Sequence, residues 1–281
     1  MKLYLYRLSL KTSQQLNVFE PRKLNGERYN REEWLRFIFS KTFTFQHQGN
    51  SFFFVPELPV ATSIDEDVIV GWVARDRSIV ERTAPWDGLA LTERQSWQAS
   101  LLMIDPRHHL DGQKVAFEAN NYIGKPDSVI ASLFKSDWGL EADGPFSINA
   151  YPIIQERSFS VFAETHHGKI NQITYDVAVP NMFGSPDDFS KELGVLRDEA
   201  NVSRVTTRLH SDGVINTDTS QLDEIASHVE RGGGKITART RDGQKYNSAQ
   251  NAVSEDVDVD GVEPKSKTYW ERIKGALDRI F

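Results

Sequence analysis

Residues 202–247, VSRVTTRLHSDGVINTDTSQLDEIASHVERGGGKITARTRDGQKYN, hold the plan of the chain's second half in one stretch. Residues 202–209 read as a strand, with Arg204, Thr206, Arg208 and then His210 alternating against apolar neighbours, the two-residue period of a strand with one buried face. Asp218 and Thr219 then offer cap oxygens ahead of Gln221, so 221–230 reads as a helix. Gly232-Gly233-Gly234 ends it, because glycine accepts the left-handed backbone that helix C-termini need. A phosphate-cradling loop would place its glycines between a strand and the start of a helix, whereas these follow a helix and precede a strand. KITART (235–240) alternates again, and Arg241-Asp242-Gly243-Gln244 reads as a hairpin turn into 245–247.

Outward from that stretch, strands at 146–151 and 173–179 and a helix at 186–199, opened by Ser185 and the acids after Pro186, extend the rhythm. Helices packed on one sheet are the architecture this alternation favours. In the first half, 2–10 alternates, with Tyr4, Tyr6, Leu8 and Leu10 expected to face a core. Asn30 precedes a short helix bearing Trp34, Phe37 and Ile38. Runs at 42–45, 52–55 and 68–75, broken by Gly49-Asn50, Pro56 and Pro59, suggest an antiparallel meander, and 98–104 and, after the turn Asp111-Gly112, 114–118 are further strand candidates. Pro126 opens a helix with Val129, Ile130, Leu133 and Phe134 as its stripe. The Gly- and Asp-rich stretch 138–145 reads as a boundary. The expected fold is α+β: an N-terminal antiparallel sheet with helices (1–143), a C-terminal α/β sandwich with helices on one sheet (144–252), an acidic linker (253–263) and a C-terminal amphipathic helix (264–281).

Composition narrows the chemistry. Forty acids against 33 Lys and Arg give a net charge of -7, unlike a protein coated in basic surface, though a local basic face remains compatible. With no cysteine among 281 residues, disulfides, thiolate nucleophiles and Cys-ligated metals are excluded. The opening MKLYLYRLSLK alternates instead of forming an apolar block, so it reads as a strand and not as a signal peptide or membrane span. A cytoplasmic location and no transmembrane segment are the expectation.

Catalytic signatures are sparse. Neither G-x-S-x-G nor a P-loop nor a dinucleotide fingerprint occurs. The pairs His108-His109 and His166-His167 are adjacent in sequence, which on strand or helix sends the two rings apart, so both read as solvated turns and not as metal ligands. Phe117-Glu118-Ala119 could lend a carboxylate to a nuclease site, but reads first as ordinary strand-edge charge. No catalytic residue, metal or cofactor is assigned.

Two features stand out. Strand alternation sets Arg204, Thr206, Arg208 and His210 on one face of one strand and Lys235, Thr237, Arg239 and Arg241 on one face of another. If the two strands neighbour each other, their cations share a sheet face suited to phosphates; Arg204, Arg208, Lys235, Arg239 and Arg241 are the nucleic-acid-binding candidates, for DNA or RNA. In the last segment Trp270, Ile273, Leu277, Ile280 and Phe281 form one helical stripe, a candidate docking surface for a protein or an anionic membrane. The intervening acids Glu255, Asp256, Asp258, Asp260 and Glu263 are expected to fold over the basic stripe and weaken its binding.

The succession SFFFVPEL, DVIVGWVARD, LLMIDPRHHLDGQKVAFEAN, ITYDVAVPN and HVERGGGKITARTRDGQKYNS, after an N-terminal strand, resembles uncharacterised bacterial proteins encoded near mobile elements. More loosely it is similar to RexA-type phage-exclusion proteins and KwaB of the Kiwa antiphage system, over residues 1–250. The resemblance implies a defence-associated protein that forms homo-oligomers and touches DNA, with no established cofactor and no catalytic residues to carry over. The function expected is therefore a non-enzymatic, oligomeric component of antiphage defence or phage exclusion that binds nucleic acid through the basic face. The alternatives are a metal-dependent nuclease or hydrolase effector, and an adaptor that docks through its C-terminal helix.

Overall fold

The computed structural model describes residues 1–12, 22–23, 25–57, 64, 67–109, 112–140, 144–178, 195–196, 199, 202 and 204–280. Strand β1 (Lys2–Thr12) carries Tyr4, Tyr6, Leu8 and Leu10 on one face and Leu3 and Leu5 at the start of the other, and it becomes an interior strand of the larger sheet. One edge pairs antiparallel with β6 (Lys114–Glu118), Leu5 lying opposite Ala116. The other edge is shared by two strands from distant parts of the chain. There β7 (Phe146–Pro152) lies along Tyr6 to Thr12, and β12 (Ser254–Asp256) lies along Lys2 to Tyr4. Beyond β6 the sheet runs through β5 (Leu91–Asp105), β4 (Ile69–Arg82), β3 (Asn50–Pro56) and β2 (Phe43–His47), eight strands in all.

Both faces of this sheet are covered. Tyr6, Leu8 and Leu10 enter a core with Trp34 and Ile38 of α1 (Arg31–Ile38) and Phe134 of α2 (Pro126–Phe134), as the alternation expects. Helix α1 begins in a reciprocal capping box: Glu33 N donates to Asn30 Oδ1 at 2.9 Å and Asn30 N to Glu33 Oε2 at 2.8 Å. On the far side, Leu3 and Leu5 join Val70, Leu101 and Met103 beneath α5 (Lys267–Ile280), whose Tyr269, Trp270, Ile273, Ala276 and Leu277 are buried there.

That burial corrects the reading of the last segment. The stripe Trp270, Ile273 and Leu277 is amphipathic because it covers the chain's own sheet, and Ile280 packs partly against the same core; Phe281 lies outside the described residues. The stretch 253–263 is no spacer either, since it contributes β12 to the sheet edge. Two of its acids face the helix and not the basic stripe: Arg279 Nε donates to Glu255 Oε1 at 2.9 Å, and Arg272 Nη1 lies 3.6 Å from Asp258 Oδ2.

The boundary expected near residue 143 also moves. Because β7 belongs to the first sheet, residues 153–252 form an insertion whose entry and exit both sit on β1. Ile153 N donates to Leu5 O at 2.9 Å, Val253 N to Ile153 O at 2.7 Å, and Leu5 N to Val253 O at 3.1 Å. An antiparallel bridge between Ile154 and Ala252 closes the neck.

The insertion is a four-stranded antiparallel sheet in the order β11 (Lys245–Asn247), β10 (Gly234–Thr240), β8 (Ile170–Ala178), β9 (Arg204–His210). Helices α3 (Ser158–Thr165) and α4 (Ser220–His228) cover one face, with Phe159, Leu222 and Ile225 packed on Ile173, Val177 and Ile236. Gly232 is left-handed at φ +78, and a Cβ on Gly234 would lie 2.4 Å from the Asp176 carbonyl oxygen, so this glycine run serves backbone packing. The helix expected at 186–199 falls mainly outside the described residues. The chain is thus mixed α+β, and no helix among the described residues is long and apolar enough to cross a membrane.

Trp270→Ala should cost about 3–5 kcal/mol through reduced burial and the cavity left behind. Urea unfolding should show this as a lower midpoint in a still cooperative transition. An unchanged midpoint would mean α5 does not hold its face of the sheet.

Candidate functional site

The register of the second sheet decides what its uncovered face displays. Strands β9 and β10 are not neighbours, because β8 runs between them and pairs with both. That separation leaves the face intact as far as Arg239, where the β10–β8 register shifts before Thr240 and the exposed Arg241 follows in the turn: Lys235, Asp176 and Thr206 form one row, Thr237, Thr174 and Arg208 the next, and Arg239, Gln172 and His210 a third. Lys245 extends the third row from β11, opposite Arg239. Arg204, Arg208, His210, Lys235, Arg239, Arg241 and Lys245 are all exposed. The apolar partners Ile173, Val177, Ile236 and Ala238 point to the helices.

The cations differ in how far their charge is already answered. Arg204 bonds the Asp176 carboxylate through Nε and Nη2, Thr206 Oγ1 donates to Asp176 Oδ1 at 3.2 Å, and that carboxylate raises the Arg204 pKa further. Lys235 lies close enough to Asp127 of α2 to favour that carboxylate's charge, although burial wins and pushes the Asp127 carboxyl above its ordinary range. Tyr6 Oη donates to Asp127 Oδ1 at 2.8 Å, which ties α2 to β1. Arg208 Nη2 donates to the neutral Gln172 Oε1 at 2.8 Å. Among the described residues, Arg239, Arg241 and Lys245 form no ion pair.

Along these four strands Asp176 is the single carboxylate, and the aromatic rings, Tyr175 and Tyr246, are buried. The face can therefore hold phosphate oxygens through Arg, Lys and Thr, and apart from the exposed His210 imidazole on β9 it offers no ring on which a base could stack. Four residues along a strand and two strand spacings across it set the outer cations about 13 Å and about 10 Å apart. Lys245 escapes the sequence pattern because a three-residue strand shows too little alternation to assign its side; its pairing with Arg239 is what places it.

The other candidates are structural. His109 Nε2 lies 2.9 Å from Asp105 Oδ2, and Arg107 donates to both oxygens of the same carboxylate, at 2.9 Å and 2.7 Å. His166 follows α3 with its ring against Phe162. Glu118 is mostly buried near Tyr269, accepts Leu101 N at 2.9 Å, and has its pKa raised by burial. Among the described residues no three His, Asp or Glu side chains converge as metal ligands. No protein-family model matches the chain, and neither does any curated protein or solved structure.

Asp105 is fully buried, and although burial opposes its charge, the bonds from Arg107 and His109 outweigh that and hold its pKa below the usual carboxylate value. A carboxylate of this kind stabilises the fold above its unfolded pKa, and the contribution disappears as pH falls through the folded value. Asp105→Ala should cost about 2–3 kcal/mol at neutral pH. Denaturant titrations should show the gap from the parent protein closing as pH is lowered beneath about 3.9. A pH-independent gap would assign the loss to packing alone.

Proposed function

We propose that this chain is a non-enzymatic, oligomeric component of bacterial phage defence or exclusion that binds nucleic acid through the open face of its inserted sheet. The observation that carries the binding is the common register of β9, β8 and β10, which sets Arg208, Arg239 and, through β11, Lys245 on one face, with Arg241 exposed in the turn beyond. A net charge of -7 makes such a concentration of cations a local exception, with Asp176 on the strands and Asp212 and Asp242 just beyond their ends as the nearby carboxylates. With His210 the single exposed ring along these strands, contact with the phosphate backbone is favoured over base readout, so affinity follows charge density and salt more than sequence. The defence role rests on the resemblance of the segments from SFFFVPEL to HVERGGGKITARTRDGQKYNS.

The test is a titration of labelled DNA and RNA oligonucleotides, at low and moderate salt. Affinity should fall linearly with salt on logarithmic axes. On duplex DNA, Arg208→Ala with Arg239→Ala should flatten the slope by about 0.9 for each phosphate that the protein no longer neutralises. Asp176→Asn should strengthen binding by freeing Arg204. Binding absent at low salt, or indifferent to all three substitutions, would refute the reading, and cleavage of the oligonucleotide in the presence of Mg²⁺ would replace it with an enzyme.

A further inference from the structure

The hairpin of β4 and β5 outgrows the sheet that contains it. Strand β3 accompanies β4 only as far as the Phe52–Arg75 pair, and β6 accompanies β5 only from Leu102 onwards. From Asp76–Trp97 to Arg82–Leu91 the two strands pair only with each other, a ribbon about 23 Å long that ends in a turn carrying Trp86. Two-stranded ribbons in water are marginally stable by themselves. This one also exposes large apolar side chains: Val80 at 61%, Trp97 at 61%, Leu91 at 65% and Trp86 at 86%. Among the described residues no strand pairs with the outer edge of β4 past Arg75.

We propose that this edge pairs with itself: two copies of the chain join β4 to β4, antiparallel and centred on Ile79, so that the two ribbons become one four-stranded sheet. The charge order of DRSIVER (76–82) is what selects the occupant. Centred on Ile79, antiparallel pairing sets Arg77 opposite Glu81 of the second copy and Asp76 opposite its Arg82, and symmetry repeats both pairs. A slip of one residue in one direction would set Arg77 against Arg82, and in the other Asp76 against Glu81. The like-charge penalties fix the register as firmly as the matched pairs do.

Side-chain facing agrees with the charges. Ile79 meets Ile79 of the second copy at the two-fold axis on one face, and Val80 stands opposite Ser78 on the other. Within each arm Trp97 flanks Asp76 and Leu91 flanks Arg82, so an indole and a leucine border each inter-chain Asp–Arg pair. The edge from 76 to 82 also contains neither lysine nor proline, residues that commonly protect a free strand from pairing. This inference is independent of the nucleic-acid reading, since the arm belongs to the first sheet and the basic face to the second.

Sedimentation of the full chain across a concentration series tests it. The parent protein should form a dimer. Asp76→Arg and Arg82→Asp, each placing like charges opposite one another, should each weaken the dimer at least about tenfold, and the double variant should restore it. Both positions are exposed on the arm, and circular dichroism would verify that the variants stay folded. A second readout uses the lack of native cysteine: Ile79→Cys should oxidise to a covalent dimer, because the residue faces its own copy, while Trp86→Cys at the tip should not. A monomer at every concentration, a dimer that both charge reversals leave unchanged, or equal cross-linking at the two cysteine positions would overturn the proposal.

Discussion

The outer edge of β1 is the constraint from which the remaining architecture follows. A single run of backbone donors and acceptors on Lys2 to Thr12 is divided between β7 and β12, and at the division Leu5, Ile153 and Val253 exchange hydrogen bonds within 2.7–3.1 Å. Unpaired backbone groups at that buried seam would be costly, so the two ends of the insertion cannot separate without opening the sheet. The same strand buries Tyr6 and Leu8 beneath α1 and α2 and Leu3 and Leu5 beneath α5. Its apolar residues on both faces explain why the C-terminal helix folds back and is not held out on a tether.

Anchoring the insertion in this way also orients its sheet. Helices α3 and α4 occupy one side, leaving the other to Thr, Gln and the cations, the ordinary division for an antiparallel sheet with one wet face. What departs from the ordinary is the sign of the charges. Acids elsewhere outnumber bases, yet along these strands Asp176 is the single carboxylate and answers Arg204, with Asp212 near His210 and Asp242 near Lys169 just beyond the strand ends. The more open half of the face is therefore the β11 side, where Arg239, Arg241 and Lys245 lie together. A polyanion would meet least competition there.

Local periodicity is legible in the residues and long-range pairing is not. RVTTRLH and KITART announce their strands and faces because alternation is a property of consecutive residues, but nothing in either run says that β8 lies between them. The capping box at Asn30 and Glu33 marks α1 by itself. Helix α3 carries no such mark: Arg157 before it is left-handed and supplies no cap, and the Ser158 N–H turns back to the Gln155 carbonyl at 3.2 Å. Strands β4 and β5 are legible only up to Arg75 and from Gln98, where they have neighbours to pack against. Past those points the arm is exposed on both faces and loses its alternation. The stripe on α5 is visible in full, yet amphipathicity reports only that a face is covered, and here the cover is the chain's own sheet.

Where a polyanion sits on this surface can be read by covalent labelling of lysine and arginine side chains, followed by mass spectrometry, with and without a saturating duplex oligonucleotide at low salt. Protection should concentrate at Arg208, Arg239, Arg241 and Lys245, with Lys267 and Arg272 of α5 labelled equally in both states. Protection spread evenly over the surface, or confined to the arm or to α5, would contradict binding at the inserted sheet.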